Sequence, residues 1–405
     1  MRRISPLLGL LAGVGLTLAV QSLGSVPQAA AGRSELTRSQ FDGALDTVLE
    51  RYVDPVDGGR VLATALKHIV SDLDEHSHFL TAAERRILKS RAHGGFSGMT
   101  VHLHRSHSDQ RKPAWLEVTA VFPGSAAAAA GLSVGDQILE IDGQEIAFML
   151  SQADVLGLLA GSPGQRLALV VQRSADPSPR ALSLTLSPRV AKFLVESALI
   201  ERGGLKHAHI IIHSFRSGVG EQVKRALAEL RRAAGSAGLA GIILDLRGNP
   251  GGDVQEAVAI ADLFVASGVL VRTRGRGGQI LREETAHQAG TDTHTALVVI
   301  QDRLSASASE LLASTLQDHR RAVIIGERSY GKGTVQDVIG MPDGSLLTLT
   351  IARYFSPNDR LIDGKGVDPD VQVALPTLTA GSDLPEIAVQ AALRGLASRD
   401  DHGNK

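Results

Sequence analysis

Cysteine is absent from the 405 residues. That absence removes thiol nucleophiles, disulfides and thiolate metal sites together, so serine, a carboxylate or histidine must carry any chemistry. The redox compartment stays open. Charge of one sign is lacking too: 42 Lys and Arg face 43 Asp and Glu, a formal net charge of −1. A phosphate-neutralising surface would be strongly basic, so a nucleic-acid partner is not expected. Past the N-terminus, no apolar run approaches the roughly 20 residues that a membrane-spanning helix needs.

What is present starts with Arg2 and Arg3, an apolar run from Leu7 to Val20, and small residues at Ala29, Ala30 and Ala31. This is signal-peptide order, so residues 1–31 are read as a signal peptide cleaved near Ala31. A retained segment would instead leave the protein membrane-associated. Either way the protein is expected to be exported, to a periplasmic or other extracytoplasmic space. Hydrophobic residues make up 43% of the chain, enough at this length for more than one core, and two or three domains are expected.

Residues 32–91 read as helical. Phe41, Leu45, Val48 and Leu49, then Val61, Leu62, Leu66, Ile69 and Val70, recur at spacings of three and four, with Asp54-Pro55 between the two sets. The connection from Leu73 to Leu80 holds His76 and His78; without a third ligand nearby, a loop role is preferred to a metal site. From 92 to 190 the period changes to strands, including Trp115–Val118 and Leu167–Val171. Between them lie Pro123-Gly124-Ser125-Ala126, an alanine run, Ala130-Gly131-Leu132, Val134-Gly135-Asp136 and Ile141-Asp142-Gly143. Turn, short helix, glycine stop, strand and tight turn follow in that order. Residues 191–375 alternate strand and helix, which implies an α/β layer with buried, largely parallel strands. A final amphipathic stretch and polar tail occupy 376–405.

Two segments carry chemistry. Leu304-Ser305-Ala306-Ser307-Ala308-Ser309-Glu310 joins a strand to a helix, where small residues admit a substrate backbone and free N–H groups stabilise negative charge. Ser305 or Ser309 alone would read as ordinary helix caps. In Gly331-Lys332-Gly333 the glycines let the backbone fold tightly and bring the amine inward, where desolvation lowers its pKa and fits it to accept a serine proton. A third segment, Asn249-Pro250-Gly251-Gly252, follows a strand and leaves backbone N–H groups unobstructed. His213, His287, His294 and His319 have no motif that places them, so a Ser-His-Asp triad has little support.

The stretch from Val121 to Gly143 resembles a PDZ domain, which adds an extended ligand tail to a sheet edge. The resemblance implies that Gly98, Met99, Thr100 and Val101 bind the ligand's terminal carboxylate, with Thr100 where relatives usually carry glycine. Ser307 and Lys332 in their two runs, with Tyr52–Val56, Ile243–Gly252, Ala352–Asn358 and Gly364–Asp370 in the same order, resemble the carboxy-terminal processing (tail-specific) peptidase family. That resemblance implies Ser307 as nucleophile, Lys332 as base, Gln336 as the lysine's support, and an oxyanion hole from Ala308 with Gly251 or Gly252. It also implies a multidomain α/β fold: a crotonase-like α/β peptidase core, an inserted β-rich PDZ domain and an N-terminal helical region. Gln301-Asp302-Arg303 departs from the family, whose members usually carry an asparagine before the serine run.

The expected activity is that of a serine endopeptidase acting on proteins with free, apolar C-termini, with no cofactor and no metal. An adaptor protein and a homo-oligomer are left open. A catalytically silent PDZ scaffold is the alternative, and an acyl-CoA enzyme, on the crotonase-like arrangement, is a second.

Overall fold

The computed structural model describes residues 36–91, 95–104, 113–121, 125–149, 152–173, 176–188, 194–287 and 290–373. The expected signal peptide and the C-terminal amphipathic stretch and tail lie outside the described residues. The chain divides into two compact units at Leu62. In the first, the helix Arg38–Arg51 opens on Thr37, whose hydroxyl accepts from Gln40 N–H while the Gln40 side chain accepts from Thr37 N–H. This reciprocal cap satisfies two donors that a helix start otherwise leaves free.

The second unit holds two sheet systems that matter for the site, and a third that forms the β-rich insert. The first is six-stranded, in the order Val195–Arg202, Leu205–Ile212, Gly241–Asp245, Ala296–Gln301, Val323–Gly326 and Val371–Gln372. Only the first pair is antiparallel; the rest run parallel. Parallel strands are buried on both faces and read as unbroken apolar runs, which explains Gly241-Ile242-Ile243-Leu244-Asp245. Ile242 and Leu244 join the helix-side core, while Ile243 packs with Val298, Ile300 and Ile325 on the other face.

The helices Val219–Ala234, Val254–Asp262 and Ala308–Asp318 contribute to the helix-side core. Val219–Ala234 buries Val223, Leu227 and Leu230, a helical stripe, and stops at Gly235. Each such side chain removed from water contributes about 1.5–3 kcal/mol. A five-stranded antiparallel sheet joins His78–Leu80, Leu346–Phe355, Val269–Gly275 and Ile280–Thr285, with Thr334–Gly340 paired to Leu346–Phe355. This second sheet escaped the sequence reading. It matters because Thr334–Gly340 starts two residues after Lys332 and fixes where the lysine loop ends.

The insert is a six-stranded sheet of Met99–His104, Trp115–Val121, Gln137–Ile141, Gln144–Glu145, Arg166–Arg173 and Asp176–Thr185, with helices Ala126–Ala129 and Gln152–Leu159. Leu116, Val118, Ile138, Ile141, Val155 and Leu169 form its separate core. Gly95–Phe96 pairs with Ser187–Pro188, so the chain enters and leaves the insert side by side.

Candidate active site

Three loops at the C-terminal ends of the parallel strands build the site. The first follows Gly241–Asp245. Asp245 is fully buried beneath it and takes two bonds from Arg247, Nε to Oδ1 at 2.9 Å and Nη2 to Oδ2 at 2.7 Å, with His209 Nε2 at 3.4 Å. Burial pushes the Asp245 carboxyl up, but the bonds from His209 and Arg247 and the arginine charge overcome it and leave the pKa at about 2. Asn249 then fixes the loop's exit. Its Nδ2 donates to Ile212 O at 2.7 Å and its Oδ1 accepts from Gly251 N–H at 2.9 Å.

The second loop, 302–309, is tied to the first. Asp302 accepts from Gly248, Leu304 and Ser305 N–H, while Asn249 O accepts from Ala306 N–H and the Ser309 hydroxyl. Asp302 thus braces both loops by accepting from three amides. Gly251 lies against the serine: a Cβ there would stand 2.7 Å from Ser307 Cβ and 2.6 Å from Ala306 O, so only glycine fits. Ser307 itself has φ 56° and ψ −115°, a conformation that costs a non-glycine residue energy and sits at the strand-to-helix turn.

The expected oxyanion donors separate here. Gly251 N–H is spent on Asn249. Among the described residues neither Gly252 N–H nor Ala308 N–H donates to anything. Gly252 is exposed and Gly251 buried.

The third loop carries Lys332. Tyr330 N–H donates to Ser305 O at 3.0 Å, Gly364 N–H to Gly331 O at 2.8 Å, and Tyr354 N–H to Gly333 O at 2.7 Å. A Cβ on Gly333 would meet Asp363 N at 2.4 Å, which explains why glycine flanks the lysine and why the Gly364-Lys365-Gly366 segment accompanies it. Burial holds the Lys332 amine below the ordinary lysine range, while Glu75 and Glu310 pull it back up. Among the described residues its amine makes no hydrogen bond. Gln336 bonds to the Thr334 and Thr350 hydroxyls at 2.8 and 3.2 Å rather than to Lys332.

Lys332 faces a cavity of 130 Å3 that sequence reasoning did not foresee, shared with Glu75, His76, Val101, His102 and Tyr330. Val101 and His102 come from the insert strand Met99–His104. Two other expected binding-loop residues lie elsewhere: Gly98, at φ 77°, packs against Ser125, and Met99 is in the insert core. Three of the isolated histidines have partners for their side chains elsewhere. His213 faces Glu196, His287 faces Asp262, and His319 bonds to Val269 O. Of the described residues, no group of three or more His, Asp or Glu is arranged to hold a metal.

Comparison with known proteins fits this geometry. The Peptidase family S41 profile matches residues 206–373, and a PDZ domain profile matches 117–173. The carboxyl-terminal-processing protease of Synechocystis sp. is 31% identical over 353 residues, 85% of this chain and 79% of that protein. This chain belongs to the carboxyl-terminal-processing peptidase family. It is a serine peptidase with a PDZ domain, which sets aside the silent scaffold and the acyl-CoA enzyme. The chloroplastic C-terminal processing peptidase of Tetradesmus obliquus is 31% identical over 338 residues, 80% of this chain and 71% of that one. The solved photosystem II D1 C-terminal processing protease superposes with a TM-score of 0.70 at 29% identity, covering 88% of this chain and 92% of that one.

Proposed function

We propose that this peptidase cuts protein substrates by acyl transfer, with Ser307 as nucleophile and Lys332 as general base. The neutral amine takes the Ser307 Oγ proton as the oxygen attacks a peptide carbonyl. Negative charge develops on the carbonyl oxygen and is met by Gly252 and Ala308 N–H. Collapse releases the amine half of the substrate, which takes the proton from the Lys332 ammonium. Water, deprotonated in turn by Lys332, then hydrolyses the ester and restores the enzyme. Gln336 serves through the strand it braces.

The observation that carries this reading is the joining of the serine and lysine loops at one buried carboxylate, beside two N–H groups with no other partner. The chemistry calls for no cofactor. Substrates are proteins with free, apolar C-terminal tails, received by the PDZ domain through the segment from Gly98 to Val101. Arg2, Arg3 and the apolar run after them support export. Among the described residues no helix is long and apolar enough to cross a membrane.

The test uses Ser307→Ala protein and tailed peptides. Parent enzyme should generate new C-termini, detected by mass spectrometry, and the variant should bind without cutting. Backbone bonds to a carboxylate are worth about 1.5–3 kcal/mol, so amidating the tail should weaken capture roughly 10- to 150-fold. Equal binding of amidated and free-acid peptides would refute recognition of the terminus.

A further inference from the structure

Glu310 lies one turn into the helix that follows Ser307 and is fully buried. A buried carboxylate is costly unless donors surround it. Here four do. Oε2 accepts from Ser307 N–H at 2.7 Å and Lys332 N–H at 2.8 Å, and Oε1 from Gly331 N–H at 2.7 Å and the Ser329 hydroxyl at 2.6 Å. The Ser329 oxygen in turn accepts from Val367 N–H at 2.7 Å, which frees its proton for Glu310. Burial raises the pKa of the Glu310 carboxyl against the pull of its four bonds; three of those donors are backbone amides that cannot accept, so the ionised carboxylate, with about four acceptor sites, is the form that satisfies them all.

We propose that Glu310 is a positioning residue that sets the spacing of nucleophile and base by binding the backbone of both through one oxygen. The inference rests on the Ser307–Lys332 reading. The Ser307 and Lys332 nitrogens can be no further apart than those 2.7 and 2.8 Å bonds laid end to end. The same contact holds Ser307 in its positive-φ conformation, which the chain does not adopt without support. Lys332 also feels the charge of Glu310, together with Glu75, while His76, His102 and Tyr330 share its cavity.

The experiment compares parent, Glu310→Gln and Glu310→Asp, with Lys332→Ala as control, by kcat, KM and pH profile on one peptide. A glutamine turns one acceptor oxygen into a donor that faces donors, and it removes the charge. A misplacement near 1 Å costs about 100-fold in rate, so kcat of Glu310→Gln should fall by about that factor with KM within about twofold. Because the lost charge had raised the Lys332 pKa, the acidic limb should move to lower pH. Parent-like kcat, or a lowered kcat with an unmoved limb, overturns the inference. Should Glu310→Gln fail to fold, Glu310→Asp decides: kcat falls about tenfold or more at unchanged KM. A parent-like kcat, or a loss shared with KM, overturns the inference there. If Lys332→Ala stays active the dyad itself fails; if it is dead while the Glu310 variants match the parent, only this inference fails.

Discussion

The hydroxyl of Tyr330 lies 2.7 Å from Nδ1 of His102. Tyr330 is two residues before the proposed base, and His102 belongs to the insert strand Met99–His104. Burial, then His104, and Lys332 hold the His102 pKa down to about 4, so the ring is neutral near pH 7. The hydroxyl also lies 3.1 Å from Nε2, which stands 3.5 Å from Glu75. The insert is thereby tied to the loop of the proposed base.

The cavity left over Lys332 is 130 Å3, well below the roughly 300–1,000 Å3 of a ligand-filled cleft. The account predicts that substrate entry lifts the strand Met99–His104. One hydrogen bond is worth about 1 kcal/mol net. Tyr330→Phe and His102→Ala should each raise hydrolysis of a short, untailed peptide about fivefold by favouring the open state. Unchanged or reduced rates in both variants would show that this contact does not close the site.

Lys332 predicts a sign for the pH dependence. The base must be neutral, and its pKa is lowered by burial. Activity should therefore be full above that pKa and be lost as pH falls through it, on a limb centred below the ordinary lysine value of 10.5. A profile of kcat/KM measures it. A limb abolished by His76→Ala would instead assign the base to His76, which shares the cavity.

Arg247 and Asp245 predict a stability effect. The folded Asp245 pKa of about 2 lies below the ordinary 3.8. The stability this contributes is present above pH 4 and lost as pH falls towards 2. Arg247→Met strands a buried carboxylate, a loss of roughly 3–5 kcal/mol. Thermal melts at pH 7 should show it as a large drop; melting within about 2 °C of the parent would contradict the pairing.

Much of this was readable in the chain because it is local. Gly251 and Gly333 announce close approaches that any side chain would block, and the alternation of Ile242, Ile243 and Leu244 with helical segments marks a buried parallel strand. The PDZ order of turn, helix and strand is likewise contiguous. What stayed hidden depends on juxtapositions that no spacing encodes. Glu310 reads as an ordinary first-turn acid until the lysine loop folds over it. His102 looks like one of several strand histidines, yet it meets Tyr330 from across the domain boundary. The hairpin from Thr334 to Phe355 is hidden because its antiparallel pairing breaks the strand–helix alternation around it. Gln336 sits four residues after Lys332, a spacing that brings side chains together on a helix. On the strand Thr334–Gly340 its amide instead meets the Thr334 and Thr350 hydroxyls.

The central claim is that Lys332 is the base for Ser307, and single-residue kinetics test it most directly. kcat/KM for one tailed substrate should be measured for parent, Ser307→Ala and Lys332→Ala, with thermal melts confirming that all three fold. Residues that act as a unit fall together, so each alanine should lose about 10⁴-fold or more. A folded Lys332→Ala enzyme that cuts at the parental rate, beside a dead Ser307→Ala enzyme, would contradict the account.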